Sequence, residues 1–215
     1  MAVISFQHRF VFIKTQKTAG TSIEIDLARR LGPDAIVTPV KPAVEGHEPR
    51  HHVNGERTLS AHASASEISD FIGADAFAGM AVICVEREPV DKCLSHFHMK
   101  RNSSYHNPDG AYQRDWAAYC EAGAFPVDTA RYATRDRQTG RWRRRADHVI
   151  AYERLDQDLP ALLGALGLAG FGLTARAKAD YRTPVLARPE EVTAQQRQRI
   201  YDAFADCRAL TGLYL

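Results

Sequence analysis

The chain has 215 residues, of which 45% are hydrophobic and 25% charged. That is the mixture of an ordinary globular protein, not of a disordered or fibrous one. Its 28 basic and 26 acidic residues leave a formal charge of +2, too even a balance for a surface built around nucleic acid. Only six of the basic residues are Lys (Lys14, Lys17, Lys41, Lys92, Lys100 and Lys178) and 22 are Arg; a GC-rich genome is sufficient cause, yet each Lys stands out, because a compact ammonium and a planar guanidinium do different chemistry. The first ten residues carry no charged leader, and no apolar run approaches a bilayer-spanning length, so neither a secretory signal nor a membrane span is expected. Cys84, Cys93, Cys120 and Cys207 are far apart and read as reduced thiols of a cytoplasmic protein. The paired imidazoles His51-His52 and His96-x-His98 lie near no Cys or acidic pair at ligand spacing, and no metal is expected.

In chain order, Arg9-Phe-Val-Phe-Ile-Lys14 reads as a buried strand. It feeds a short loop and then a helix in which Ile23, Leu27 and Leu31 recur at helical spacing, stopped by Gly32-Pro33. Residues 38–58 read as a long surface loop, and Leu59–His62 as a strand end. Ser64-Ala-Ser-Glu67 is a capping box that opens a helix through Ile72. Met80–Val85 is continuously apolar, as a central parallel strand is, and Pro89 suits the first turn of a helix reaching Met99. A modest helix is expected over Asp115–Ala122. The Arg131–Arg145 stretch, with seven Arg, reads as a loop or two-stranded flap. It is either a solvated surface or a patch for an anionic acceptor. A strand at His148–Tyr152, a helix at Leu159–Leu168 and a last helix over Thr193–Leu210 complete the pattern. Alternating strands and helices without a linker imply one α/β domain over residues 1–215, with a mainly parallel central sheet flanked by helices.

A strand that runs through Lys17-Thr18-Ala19-Gly20-Thr21-Ser22 into a helix builds an anion site. Backbone N–H groups converge at the helix start, the dipole favours negative charge, and Gly20 admits a close approach. Three hydroxyls and the Lys17 ammonium add donors. The string is not a Walker A loop, in which Lys follows the second Gly, and no strand ends in a clear Walker B Asp. A second constellation places Arg87 at the end of the central strand, where ligands of open α/β sheets bind, with Ser95 two turns into the following helix. Arg87 and Ser95 could clamp one phosphate with a fork and a hydroxyl.

Together these strings resemble the sulfotransferases that use 3′-phosphoadenosine 5′-phosphosulfate (PAPS), in their carbohydrate-type and bacterial branch, with a P-loop-like fold. Lys17 through Ser22 are similar to that family's 5′-phosphosulfate loop. Arg87 and Pro89, with Ser95 six residues after the Pro, are similar to its 3′-phosphate signature, and His148–Leu168 to its third landmark. The resemblance implies metal-free, in-line transfer of a sulfuryl group to an acceptor hydroxyl of a carbohydrate or other small metabolite, an anionic one included. Adenosine 3′,5′-bisphosphate would leave, with Lys17 neutralising the leaving oxygen. His62, placed like the catalytic His of the uronyl 2-O-sulfotransferases, is the first candidate for general base; His51, His52 and Glu24 follow, and a merely structural His62 remains open. Lys92, Phe97 and Gln16 stand where relatives carry other residues. The family's Gly-rich basic C-terminal loop is missing, with Lys178–Arg182 in its stead. The competing readings are a P-loop-type ATP-dependent small-molecule kinase and a non-catalytic adenine-nucleotide-binding domain.

Overall fold

The computed structural model describes residues 2–177 and 179–215; Lys178, part of the expected stand-in for the C-terminal loop, lies outside them. The chain resolves into two compact units, residues 1–86 with 128–177 and residues 87–127 with 178–215.

The first unit is built on β1 (Ala2–Ser5), β2 (Phe10–Ile13), β3 (Ile36–Val37), β6 (Ala81–Glu86) and β9 (His148–Ala151). They form one sheet in the order β3-β1-β2-β6-β9. β2, β6 and β9 run parallel, in register Ile13↔Cys84 and Cys84↔Val149, whereas β1 is antiparallel to both β2 and β3. The α/β class stands, but the sheet is mixed with a parallel centre instead of mainly parallel. The difference is β1. Ala2-Val-Ile-Ser5 is as apolar and as buried as β2, and the turn of only four residues between the two strands brings the chain back antiparallel, since so short a connection cannot join parallel neighbours.

Helix α1 (Gly20–Arg30) begins three residues before the apolar stripe that predicts it. Its Ile23 and Leu27 pack with Phe10, Phe12, Ile83 and Val85 of the strands. Leu155, Leu159 and Leu163 of α7 (Leu155–Ala165) join the same core. Burial of each such side chain contributes about 1.5–3 kcal/mol. Helix α7 starts one turn earlier than its expected Leu159, because Leu155 is itself a core residue. Arg50 closes the other end of α1 by donating from Nη2 to the carbonyls of Ala28, Leu31 and Gly32 at 3.1–3.3 Å, which satisfies acceptors the helix leaves open. Within residues 38–58 a small hairpin pairs β4 (Val53–Asn54) with β5 (Arg57–Thr58). Leu59–His62, expected as a strand end, is a turn: the pairing stops at Thr58, and Leu59 is held by one bond from its N–H to the His52 carbonyl. Helix α2 (Ala65–Ile72) has the reciprocal Ser64–Glu67 capping box read from the sequence. It is followed by α3 (Ala74–Ala78). The short helix α6 (Thr129–Tyr132) leads into an antiparallel hairpin of β7 (Ala133–Arg135) and β8 (Trp142–Arg144), the expected two-stranded flap.

The second unit is helical: α4 (Pro89–Asn102), α5 (Trp116–Ala122), α8 (Ala194–Ala203) and α9 (Ala205–Thr211). Phe97, Trp116 and Tyr119 form an aromatic cluster with ring centroids 5.3–5.6 Å apart, in the offset and edge-on geometries that ring quadrupoles favour. The expected last helix is two helices that meet at Phe204. Ile200, Phe204 and Cys207 remain buried across the break, so the apolar stripe survives while the helix does not. All four cysteines are buried and none is joined in a disulfide. Among the described residues no helix is long and apolar enough to cross a membrane.

Candidate functional site

Helix α1 starts without a side-chain cap and without an acidic residue in its first turn. An α-helix leaves its first N–H groups without intrahelical acceptors, and here the N-cap residue, Ala19, has no side-chain oxygen with which to cap them. Ala19 and Lys17 both have left-handed backbones, with φ +56° and +61°, a costly choice for residues that carry a Cβ. Left-handed residues set at intervals in a turn make its N–H groups converge into a concavity that receives anions. The loop thus sets two strained residues directly ahead of an uncapped helix N-terminus, the end of a helix that favours anions.

The side chains beneath hold that shape. Lys14 is buried and runs under the loop, its Nζ donating to Thr21 Oγ1 at 2.5 Å. A Cβ on Gly20 would meet Lys14 Cγ at 2.4 Å, so the glycine is required by the passage of this lysine as much as by a ligand. The Thr15 hydroxyl donates to the Val85 carbonyl, and the Thr18 hydroxyl donates to the Thr15 carbonyl at 3.1 Å. Thr18 therefore braces the loop from inside. Ser22 accepts from the Ala177 N–H at 3.1 Å, which leaves its own O–H to donate.

The loop's outer edge is tied to a distant part of the chain. Asp128, fully buried, accepts from the Gln16 N–H through Oδ2 at 2.7 Å. It also accepts from Arg131 Nε through Oδ1 at 2.5 Å. Arg131 in turn donates from Nη1 to the His62 carbonyl. One carboxylate and one guanidinium thus connect the Lys17 loop to the turn that carries His62. His62 keeps an exposed edge, but burial of the rest of the ring, with the positive charges of Arg131 and Lys14 added, pushes its pKa down to about 3. The imidazole is neutral at physiological pH and its lone pair is available, though only weakly basic until a nearby anion supports the charged form.

The other base candidates are placed differently. Glu24 is fully buried on α1, 3.3 Å from Thr38 Oγ1 and 3.5 Å from His47 Nε2; its Oε2 has no hydrogen-bond partner. His51 is turned onto the Pro33 carbonyl at 2.9 Å. His52 has its Nδ1 buried without a partner.

In the second unit, Arg87 and Ser95 are each only 8% exposed. Arg87 follows the last residue of β6, and Pro89 opens α4 as its first residue, with Glu88 capping the helix. The Arg87 guanidinium grips Asp91 one helical turn on, with Nε donating at 2.6 Å, and Arg182 Nη2 reaches the other oxygen of Asp91 at 2.5 Å. Burial works against the Asp91 charge, but the two guanidiniums outweigh it and hold the carboxyl below its ordinary range. Asp91 therefore fixes both forks in an orientation that a phosphate could take over. His96 and His98 are structural. His96 Nδ1 lies 2.9 Å from the Tyr119 hydroxyl, and His98 donates to the Leu94 carbonyl while its Nε2 accepts from the Leu186 N–H at 2.9 Å.

Sequence reasoning missed Lys14, Thr15, Asp128 and Arg131. Lys14 and Thr15 adjoin the loop, and the strand's own register placed them inward. Asp128 stands 112 residues from Gln16, so no spacing rule reaches it. Among the described residues no group of three His, Cys, Asp or Glu side chains is arranged to hold a metal ion. Comparison with family models, with curated proteins and with solved structures found no match for the chain.

Proposed function

We propose that the chain is a sulfotransferase that moves a sulfuryl group from PAPS to an acceptor hydroxyl. The observation that carries the reading is the uncapped start of α1, where two left-handed residues and Gly20 present N–H donors above the buried Lys14 ammonium. Such a site suits a multiply charged oxyanion that needs no metal to neutralise it. In this reading the loop from Lys17 to Ser22 takes the 5′-phosphosulfate. Arg87 and Ser95 take the 3′-phosphate, for which a buried, pre-oriented guanidinium beside a hydroxyl is the matching chemistry.

Transfer is an in-line displacement. The acceptor oxygen forms a bond to sulfur as the bond from sulfur to the bridging phosphate oxygen breaks, and negative charge grows on that leaving oxygen. Catalysis of such a step rests on positioning and on charges already in place. Lys17 supplies the outer cation, Lys14 the inner one, and the helix dipole adds to both. The acceptor proton goes to His62, whose neutral imidazole accepts it and whose charged form gains support from the bound anion.

The test is calorimetric titration with adenosine 3′,5′-bisphosphate, and with ATP in the presence and absence of Mg²⁺. The bisphosphate is expected to bind without metal and more tightly than ATP, and Arg87→Ala to weaken it at least tenfold, about 1.4 kcal/mol. Tighter binding of Mg²⁺-ATP would instead favour a kinase and overturn the proposal.

A further inference from the structure

The turn that carries His62 is held loosely by its own bonds. The Ala63 N–H donates to the Ser60 carbonyl at 3.3 Å and the His62 N–H to Ser60 Oγ at 3.4 Å, both beyond the roughly 2.7–3.2 Å of a well-formed bond. The tie from outside is of the stronger, charge-assisted kind: Arg131 Nη1 donates to the His62 carbonyl. Arg131 also acts on the cap of the helix that follows. The Glu67 carboxyl is held below its ordinary range first by the Ser64 N–H, and the Arg131 charge adds to the effect. The stretch from His62 to Glu67 is thus ordered around one guanidinium.

That guanidinium does not move by itself. Its Nε donates to Asp128 Oδ1 at 2.5 Å, while Oδ2 of the same carboxylate accepts from the Gln16 N–H at 2.7 Å. The Asp128 side chain is wholly buried. A carboxylate is planar and rigid, so turning it to follow one partner draws its second oxygen away from the other. Gln16 is the residue before Lys17, whose backbone is left-handed. An anion that draws the N–H groups of residues 17–22 onto itself selects one conformation of that strained backbone and fixes the Gln16 N–H with it. Three links then carry the constraint to the turn: Gln16 N–H to Asp128, Asp128 to Arg131, and Arg131 to the His62 carbonyl.

We propose that Arg131 is a positioning residue that makes the hold on His62 depend on occupancy of the Lys17 loop, so that the base is set in place when the anionic donor binds and loosens when it leaves. This rests on the sulfotransferase reading for the identity of the donor and the part His62 plays, and adds the coupling between them. A lysine at position 131 cannot take over the task. Its ammonium is a point charge, where the planar fork spans an oxygen of Asp128 and the carbonyl of His62. A static brace is the alternative: it would hold the turn equally in the empty and in the occupied chain. The two differ in whether an anion at the loop changes the turn, which is the signature of coupled sites.

The experiment is residue-resolved amide exchange on the wild-type chain, Arg131→Lys and Gln16→Pro, each alone and with saturating adenosine 3′,5′-bisphosphate or inorganic pyrophosphate. Protection gained at residues 18–22 reports that the loop is filled. In the wild type, filling is expected to slow exchange at residues 61–64 by at least about fivefold. In both variants the loop should still gain protection, while residues 61–64 gain less than about twofold. Gln16→Pro removes only the donor N–H and keeps the Asp128–Arg131 pair, so it decides the matter if chemical unfolding shows that Arg131→Lys does not fold. A gain at residues 61–64 as large in the variants as in the wild type overturns the proposal, as does a filled wild-type loop with no gain there. If pyrophosphate fills the wild-type loop and the bisphosphate does not, the PAPS reading falls and the pyrophosphate arm decides the coupling. If neither fills it, both fall.

Discussion

Ala19 and Lys17 adopt left-handed backbones at the one place where an ordinary capped helix start would have been cheaper. For an L-residue that conformation costs roughly 1–2 kcal/mol, and glycine avoids it at the expense of a more flexible unfolded chain. The strain is therefore measurable. Ala19→Gly should raise the unfolding free energy by about 1 kcal/mol, read as a higher urea midpoint at unchanged slope. A neutral or destabilising result would mean that the Ala19 methyl packs usefully and that the loop is unstrained. The converse change, Gly20→Ala, has no room, because Lys14 occupies the space its Cβ would need. The Lys-Thr-x-Gly-Thr-Ser string was legible as an anion loop because hydroxyls, a glycine and a helix start are local features. That Ala19, and not the glycine, would be left-handed was not legible, since nothing in an alanine announces a positive φ.

At the level of elements, the four-residue helix α6 is too short to stand by its own hydrogen bonds and is fixed by Asp128 and Arg131 instead. Asp128 is buried while Arg131 stays about a quarter exposed, so removing the carboxylate strands a partly solvated guanidinium and the Gln16 N–H, each at a cost of about 1–3 kcal/mol. Asp128→Ala should thus destabilise the chain by about 3 kcal/mol, and should release the Gln16 N–H and the His62 turn together. Chemical unfolding checks the magnitude, and amide exchange at both segments checks the coupling. A loss below about 1 kcal/mol, the scale of an exposed pair, would show that the network is dispensable. This tie marks the boundary of what a sequence discloses. The Ser64–Glu67 capping box could be read directly because both partners lie within one turn. The parallel strands β2, β6 and β9 could be read because continuous apolar runs have few other homes. The turn at Leu59–His62 was misread as a strand because Leu59 is apolar and buried, and burial alone does not distinguish a strand from a turn. The link from Gln16 to Asp128 exists only in the folded chain.

Across the whole molecule, the largest displacements of titratable groups are sorted by unit, and the sorting sets opposite pH sensitivities. In the first unit, His62 is pushed down to about 3 from an ordinary 6.5, and Glu67, held by the Ser64 N–H, lies below its ordinary 4.5. The unfolded chain therefore binds more protons than the native unit, first at His62 and then at Glu67. Stability linked to these groups is complete above pH 6.5 and is lost as the pH falls toward 3. In the second unit Asp91 makes the same kind of demand only below its ordinary 3.8. That unit's larger shifts point the other way. Burial pushes the Cys93 thiol and the Tyr119 hydroxyl up, and the Cys120 thiol up to about 11. Here the native unit holds protons that the unfolded chain releases above about pH 9, so stability is complete below that value and is lost as the pH rises. Residue-resolved amide exchange should accordingly lose protection first around β2, α2 and β6 on acidification between pH 6 and 4, and first around α4 and α5 on alkalinisation above pH 9. His62→Asn should flatten the acid response of the first unit without touching the alkaline response of the second. Acid loss that begins in α4 and α5, or that His62→Asn leaves unchanged, would show that the His62 ring is too well solvated for its cationic neighbours to matter.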